Sequence, residues 1–273
     1  MKAAILGAGA FGEALGKILK KNGHAVYFYD PLKFKERTLE DALEFGEVVL
    51  LATPAEAIEK LLRKFPEEAF QKTLIVASKG LLEPKVYEKF DKFEIISGPG
   101  FASELSKGKR VKLTVAASYA PEMKTLSEEL FEGSQIRFDK TSDVLGVILL
   151  GGLKNIYAIE AGRRKLEANT DEFKEYIMDA LKEAQKFLLF NGGFVETVRL
   201  AAGVGDFVLT CGSEESRNYQ FGTRLKRGAK LRKNGTVEGL FAAKEIEKRG
   251  LFIPRELEIL PDTLRRIKNA TKR

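Results

Sequence analysis

Short, unbroken apolar runs punctuate the first half of the chain, and amphipathic stretches fill the gaps between them. Residues 3–6, 48–52, 74–77, 94–97, 112–117 and 135–138 read as strands, with a further strand ending on Asp30. Strands that alternate with helical stretches predict a mostly parallel sheet covered on both faces. After about Thr141 the strand pattern stops, and residues 143–161 and 171–190 place apolar positions at helical spacing instead. The expected fold is α/β. An N-terminal Rossmann-like, doubly wound, mostly parallel sheet over residues 1–140 precedes an all-helical C-terminal domain over 141–273.

The turn after the first strand carries the sharpest local signal. It reads Gly7-Ala8-Gly9-Ala10-Phe11-Gly12, with a helix expected over residues 11–22 and a second strand after it. This is the G-x-G-x-x-G spacing of dinucleotide sites. Gly7 permits the sharp turn, Gly9 lets a pyrophosphate approach the backbone, and Gly12 allows close packing of helix on sheet. The helix then turns its positive end toward the phosphates. Asp30 follows Gly12 by 18 residues, where an acid can bind both adenosine ribose hydroxyls. That favours NAD, although Lys33, Lys35 and Arg37 stand close enough to keep NADP open. The bland alternative is a tight strand–helix turn with no ligand.

Composition narrows the class. A chain of 273 residues can form two domains of ordinary size. The net charge of +7 fits either nucleic acid or anionic small molecules, but Lys and Arg are spread among Glu, which argues against a nucleic-acid face. Cys211 is the single cysteine, which excludes an internal disulfide and fits a reducing cytoplasm. No apolar run reads as a membrane span, and with the first strand beginning at once no signal peptide is expected. His24 is the only histidine and is expected in a surface turn, so neither histidine catalysis nor a metal site is anticipated.

Four further segments carry candidate chemistry. They are Ser78-Lys79-Gly80, the stretch from Ser97 to Glu104 containing Gly98-Pro99-Gly100, the stretch from Gly151 to Ile159 containing Lys154-Asn155 and Tyr157, and the stretch from Gly203 through Asp206, Thr210 and Cys211, continuing from Ser216-Arg217-Asn218 to Gly222. Lys154 stands inside an apolar helical stretch, where a lysine must be paired, snorkelling or functional. Asp206 could act on chemistry or cap a helix. Ser216-Arg217-Asn218 offers the convergent donors that a phosphate needs, or else a solvated turn.

Taken in order, these motifs resemble the NAD(P)-dependent glycerol-3-phosphate dehydrogenases over nearly the whole chain. The resemblance implies interconversion of glycerone phosphate and sn-glycerol 3-phosphate, feeding glycerophospholipid synthesis in the cytoplasm. Lys154 would exchange the substrate's hydroxyl proton, with Asp206 orienting it. Lys79, Gly98, Gly100, Asn155, Thr210, Ser216, Arg217 and Asn218 would meet the substrate. Gly7, Gly9, Ala10, Phe11, Gly12, Asp30, Lys79, Ala102, Arg217, Thr236 and Glu238 would meet the cofactor. The partner is a small phosphorylated molecule, and a homodimer stays open as an assembly.

The chain also departs from the family pattern. Ala10-Phe11 replaces the usual Ser-Trp, and Gly100 replaces a serine after Gly98-Pro99. The loop after Asp30 is short, and residues 170–174 replace the usual Asn-Ala-Lys-Ala-Ala. These losses leave two rivals standing: a catalytically silent NAD-binding protein, and a related two-domain dehydrogenase for another small hydroxy substrate.

Overall fold

The apolar runs become strands because their side chains need cover on both faces. The computed structural model describes residues 1–78, 80–81, 84–119, 124–226 and 237–271. Among these, β1 (Lys2–Leu6), β2 (Ala25–Tyr29), β3 (Val48–Leu51), β4 (Thr73–Val76), β5 (Phe93–Ser97), β6 (Val111–Ala117) and β7 (Ile136–Thr141) form one sheet in the order β2-β1-β3-β4-β5-β6-β7. Every neighbouring pair is parallel except β5 with β6. Consecutive residues Ala3 to Leu6 and Val49 to Leu51 are fully buried, so these strands have no solvent face.

The sheet's connectivity fixes where a ligand can sit. From β1 the chain crosses through α1 (Ala10–Lys21) to β2 on one side, then through α2 (Leu39–Phe45) to β3 on the other. The carboxyl ends of β1 and β3 therefore flank the switch point of the winding, the place where open α/β sheets take ligands. Gly7 leaves β1 there, and Ala52-Thr53 leave β3. His24 stands in the turn between α1 and β2, as expected, half-buried and with its Nε2 3.1 Å from the Leu130 carbonyl oxygen.

Beyond β7 the described chain is helical: α6 (Val144–Arg164), α7 (Asp171–Phe190), α8 (Asp206–Cys211), α9 (Arg217–Lys226), α10 (Glu238–Arg249) and α11 (Ile259–Thr271). In the sheet region, α3 (Ala55–Leu62), α4 (Ala102–Ser106) and α5 (Leu126–Leu130) lie in the connections β3 to β4, β5 to β6 and β6 to β7. By length and composition α6 could cross a membrane, contrary to the expectation that no run would. However, 89% of its most apolar window is buried inside the protein, which makes it a core helix. The described chain divides into two compact units, residues 1–78 with 84–144, and residues 80–81 with 145–271.

Candidate functional site

In the sheet unit the glycine-rich turn is closed at two points and open at one. Gly7 has φ +110°, and a Cβ there would lie 2.7 Å from the Ala52 carbonyl carbon. A Cβ on Gly12 would collide with the Gly7 carbonyl. Between them, a Cβ on Gly9 would meet nothing within 4 Å, so the backbone there lies open to a ligand. Gly9 is also the N-cap of the 12-residue α1, which Ala10, Phe11 and Gly12 begin, and no side chain caps it. The positive end of that helix faces the same opening.

Asp30 is built into this turn. Its Oδ2 accepts from the Ala8 amide at 2.9 Å and its Oδ1 from the Leu32 amide at 3.0 Å. Each carboxylate oxygen keeps a second lone pair, enough to accept ribose hydroxyls. Two of the nearby cations are committed to the protein. Lys33 pairs with Glu13 at 2.7 Å. Arg37 donates to the Phe28 carbonyl at 3.0 Å and stacks on Tyr27 and Phe34.

Thr53 follows β3 at one of the strand ends where ligands sit, but the sequence gives it no specific role. The residue is partly exposed, yet its Oγ1 is buried with no hydrogen-bond partner among the described residues. An orphaned hydroxyl beside Gly7, an open backbone at Gly9 and an uncapped helix start together fit a dinucleotide. Gly98, Gly100 and Ala102 also belong to the sheet unit, in the turn from β5 into α4. Lys79 and Thr236 lie outside the described residues.

The helical unit gathers eight candidates. Lys154 is 1% exposed on α6, and its Nζ forms an ion pair with Asp206 Oδ2 at the start of α8. A turn of π-helix, Ala201–Gly205, leads the chain into Asp206. Thr210 lies one turn further along α8 and donates its hydroxyl to Asp206 Oδ1 at 3.1 Å. A charge pair this deeply buried needs such added hydrogen bonds to be held. Asn155, next to Lys154, donates to the Gly151 carbonyl and to Glu238 Oε2 at 3.3 Å. Its own Oδ1 accepts from Asn218 Nδ2 at 2.7 Å, and Asn218 Oδ1 accepts from the Gly239 amide at 2.9 Å.

Arg217 opens α9 half-exposed, 3.8 Å from Glu238 at the start of α10. A contact that long and that exposed adds little stability and leaves the guanidinium available. Ser216 is buried, and its Oγ accepts from the Tyr219 amide at 3.4 Å. Cys211 shares this interior. Burial pushes its thiol well above the ordinary range, Asp206 adds to the shift and Lys154 opposes it, so the thiol is inert.

Two side chains here had no role assigned from the sequence, although Tyr157 lies inside the Gly151–Ile159 segment. Tyr157 and Glu183 are buried in the same unit, and Tyr157 Oη donates to Glu183 Oε2 at 2.9 Å. An apolar helical pattern hides Tyr157, and Glu183 on α7 resembles any solvated glutamate.

The arrangement can hold an anion beside a buried amine whose direction is fixed by a carboxylate. Known proteins resemble the chain in sequence. Residues 143–259 match the family described as "NAD-dependent glycerol-3-phosphate dehydrogenase C-terminus", and residues 2–79 match "NADP oxidoreductase coenzyme F420-dependent". The chain is 30% identical to a glycerol-3-phosphate dehydrogenase [NAD(P)+] of Roseobacter denitrificans, over 93% of this chain and 91% of the relative. It is 32% identical to the enzyme of that name from Agrobacterium fabrum, over 89% and 85%. A crystal structure of glycerol-3-phosphate dehydrogenase from Coxiella burnetii shares the fold with a TM-score of 0.80 at 24% identity, covering 100% of this chain and 99% of that one.

Proposed function

The chain belongs to the NAD(P)-dependent glycerol-3-phosphate dehydrogenase family, and from that premise we propose that it interconverts glycerone phosphate and sn-glycerol 3-phosphate. The observation that carries this reading is the buried Lys154–Asp206 pair, placed within the matched segment and flanked by Asn155, Asn218 and Arg217. An ammonium has three donor hydrogens. One is engaged by Asp206, which fixes the direction of the others.

The nicotinamide, when bound, supplies or accepts the hydride at the substrate's C2 carbon. During reduction Lys154 donates a proton to the carbonyl oxygen, and during oxidation it takes the hydroxyl proton back. Asp206 and Thr210 hold Lys154 in place. Arg217 and Asn218 anchor the phosphate, and binding energy at that remote group positions the reacting carbonyl. Asn155 steadies Asn218 and the substrate beside it. On the cofactor side, Gly7, Gly9 and Gly12 with the start of α1 cradle the pyrophosphate, while Asp30 takes the adenosine ribose. Gly98, Gly100 and Ala102 approach cofactor or substrate through backbone. A single buried cysteine supports a cytoplasmic setting.

The test is NADH oxidation by purified protein. Glycerone phosphate should be turned over, with unphosphorylated dihydroxyacetone and glyceraldehyde 3-phosphate far behind. Binding of NADH without turnover of any of the three would instead favour a catalytically silent NAD-binding protein.

A further inference from the structure

Lys154 and Asp206 sit on different helices, so their meeting depends on the separation of α6 and α8. A second pair of residues spans the same two helices. Tyr157 follows Lys154 by three positions, which places both on one face of α6. Phe207 follows Asp206 directly. The rings of Tyr157 and Phe207 pack with centroids 5.5 Å apart at 41°, and both side chains are wholly buried. Lys154, Tyr157, Phe207 and Asp206 thus close a circuit of two contacts between α6 and α8, one ionic and one aromatic.

The far end of Tyr157 is fixed as well. Its hydroxyl donates to Glu183 Oε2 at 2.9 Å. Glu183 Oε1 also accepts from the amides of Glu258 and Ile259, at 2.6 and 2.7 Å, and Oε2 from the amide of Leu260 at 2.9 Å. Four donors fill the four lone-pair sites of a carboxylate, so Glu183 has no freedom to reorient. The Tyr157 backbone is held too, since Tyr176 Oη donates to its carbonyl oxygen at 2.6 Å. A side chain tied at both ends cannot change rotamer without breaking a buried hydrogen bond.

We infer that Tyr157 and Glu183 are positioning residues for the reaction: Glu183 locks the Tyr157 ring, and the ring sets Phe207 and hence the Asp206 carboxylate that aims Lys154. This rests on the reading of Lys154 as the proton-transfer group. Neither residue touches substrate or cofactor in this account, so their loss should act on turnover rather than on affinity.

Tyr157→Phe deletes only the hydroxyl and keeps the ring on Phe207. Turnover of glycerone phosphate should fall about tenfold, the scale of a small misplacement of a catalytic group. KM for glycerone phosphate and Kd for NADH should stay within about twofold of wild type. Ile267→Val, a buried change on α11 remote from the circuit, serves as a stability control and should lower Tm without changing kcat. Phe207→Leu breaks the aromatic contact from the other side and is read in the same way should Tyr157→Phe fail to fold. Combined with Tyr157→Phe, it should lower kcat by little more than the larger single effect. The inference is overturned if Tyr157→Phe or Phe207→Leu loses Tm as Ile267→Val does yet keeps kcat within twofold, or if their effects on kcat multiply independently. Lys154→Met run alongside separates the two levels. If it retains turnover, the reading of Lys154 falls and this inference with it. If it abolishes turnover while Tyr157→Phe keeps kcat within twofold of wild type, only the positioning role is wrong.

Discussion

The Ala8 amide donates to Asp30 Oδ2 at 2.9 Å, so the acid that would read the adenosine ribose also fastens the glycine-rich turn. The negative charge is thereby held at one place in the sheet unit. Of the three nearby cations that could offset a 2′-phosphate, Lys33 pairs with Glu13 and Arg37 is engaged by Phe28 and two aromatic rings, which leaves Lys35 as the candidate for that role. NADH should therefore show the lower KM at comparable turnover. Asp30→Asn removes the charge and keeps an acceptor for the Ala8 amide. It should raise the ratio of kcat/KM for NADPH over NADH by roughly tenfold, equivalent to about 1.4 kcal/mol. A wild-type enzyme that prefers NADPH would contradict this account of Asp30.

Thr53 makes a prediction with two opposite signs. Its Oγ1 is buried and unpartnered among the described residues, which disfavours the free protein. A turn about χ1 would present the hydroxyl to a cofactor lying along the Gly7 turn. Thr53→Val should leave Tm of the free protein unchanged or slightly higher, while Kd for NADH rises by about three- to tenfold, the value of one lost hydrogen bond. Calorimetry with and without NADH reads both quantities. A fall in Tm with unchanged Kd would make Thr53 a purely structural residue.

Much of this architecture was legible from residue order alone. The apolar runs marked all seven strands, most sharply β1 and β3, whose burial on both faces leaves no polar residue to blur their edges. Asp30 and Lys154 stood out because a charge in a glycine-rich or apolar setting demands a partner, Arg217 and Asn218 because they stand together as convergent donors, and Asn155 and Asp206 chiefly through the family resemblance. Tyr157, Glu183 and Thr53 were not. Their significance lies in which groups face them across 26 residues, in the case of Tyr157 and Glu183, or in which group fails to, in the case of Thr53. The antiparallel placement of β6 was equally hidden, since a strand's own sequence does not record its direction. Membrane-like α6 shows the reverse error: apolar continuity marked a core helix, and only burial by its neighbours identifies it as one.

Arg217 should carry specificity for the phosphate. Its guanidinium is half-exposed and only loosely engaged by Glu238 at 3.8 Å, so it can turn to an incoming anion. Arg217→Lys keeps the charge and loses the two-pronged geometry. KM for glycerone phosphate should rise by about tenfold or more, the scale of a charged hydrogen bond. Turnover of unphosphorylated dihydroxyacetone at high concentration should change far less. Equal losses on both substrates would assign Arg217 to the fold or the cofactor.

Acid should weaken the helical unit through Glu160. Burial works to raise its carboxyl, but hydrogen bonds and charge from Arg163 and Arg164 outweigh burial and hold it below the ordinary range. A carboxylate whose folded pKa is depressed contributes stability above its unfolded pKa and loses it as pH falls through the folded one. Glu94 in the sheet unit has the opposite sign. Burial raises its carboxyl despite hydrogen bonds from Ser127 and Leu126, so its contribution is largest in acid and fades as pH rises. Tm measured from pH 7 down to pH 3 should fall less steeply in Glu160→Gln than in wild type, and more steeply in Glu94→Gln. Identical slopes in all three proteins would remove both assignments.

Lys154 and Asp206 are each 1% exposed and each is the other's counter-charge, so catalysis and stability are entangled at this pair. Lys154→Met removes the proton donor and keeps most of the apolar stem. Turnover should fall at least about a hundredfold, the scale of lost general acid catalysis. Among the described residues, the same change leaves buried Asp206 with the Thr210 hydroxyl as its remaining side-chain partner, so the variant should also lose about 3–5 kcal/mol of stability. Lys154→Met combined with Asp206→Asn removes both charges. It should recover much of that stability while turnover stays down, because the proton donor is still missing. NADH binding, followed by fluorescence, should persist in both variants, since the Gly7–Gly12 turn belongs to the other unit. Return of turnover together with stability in the double variant would show that Lys154 serves the fold alone, and proton transfer would then pass to Lys79 as the next candidate.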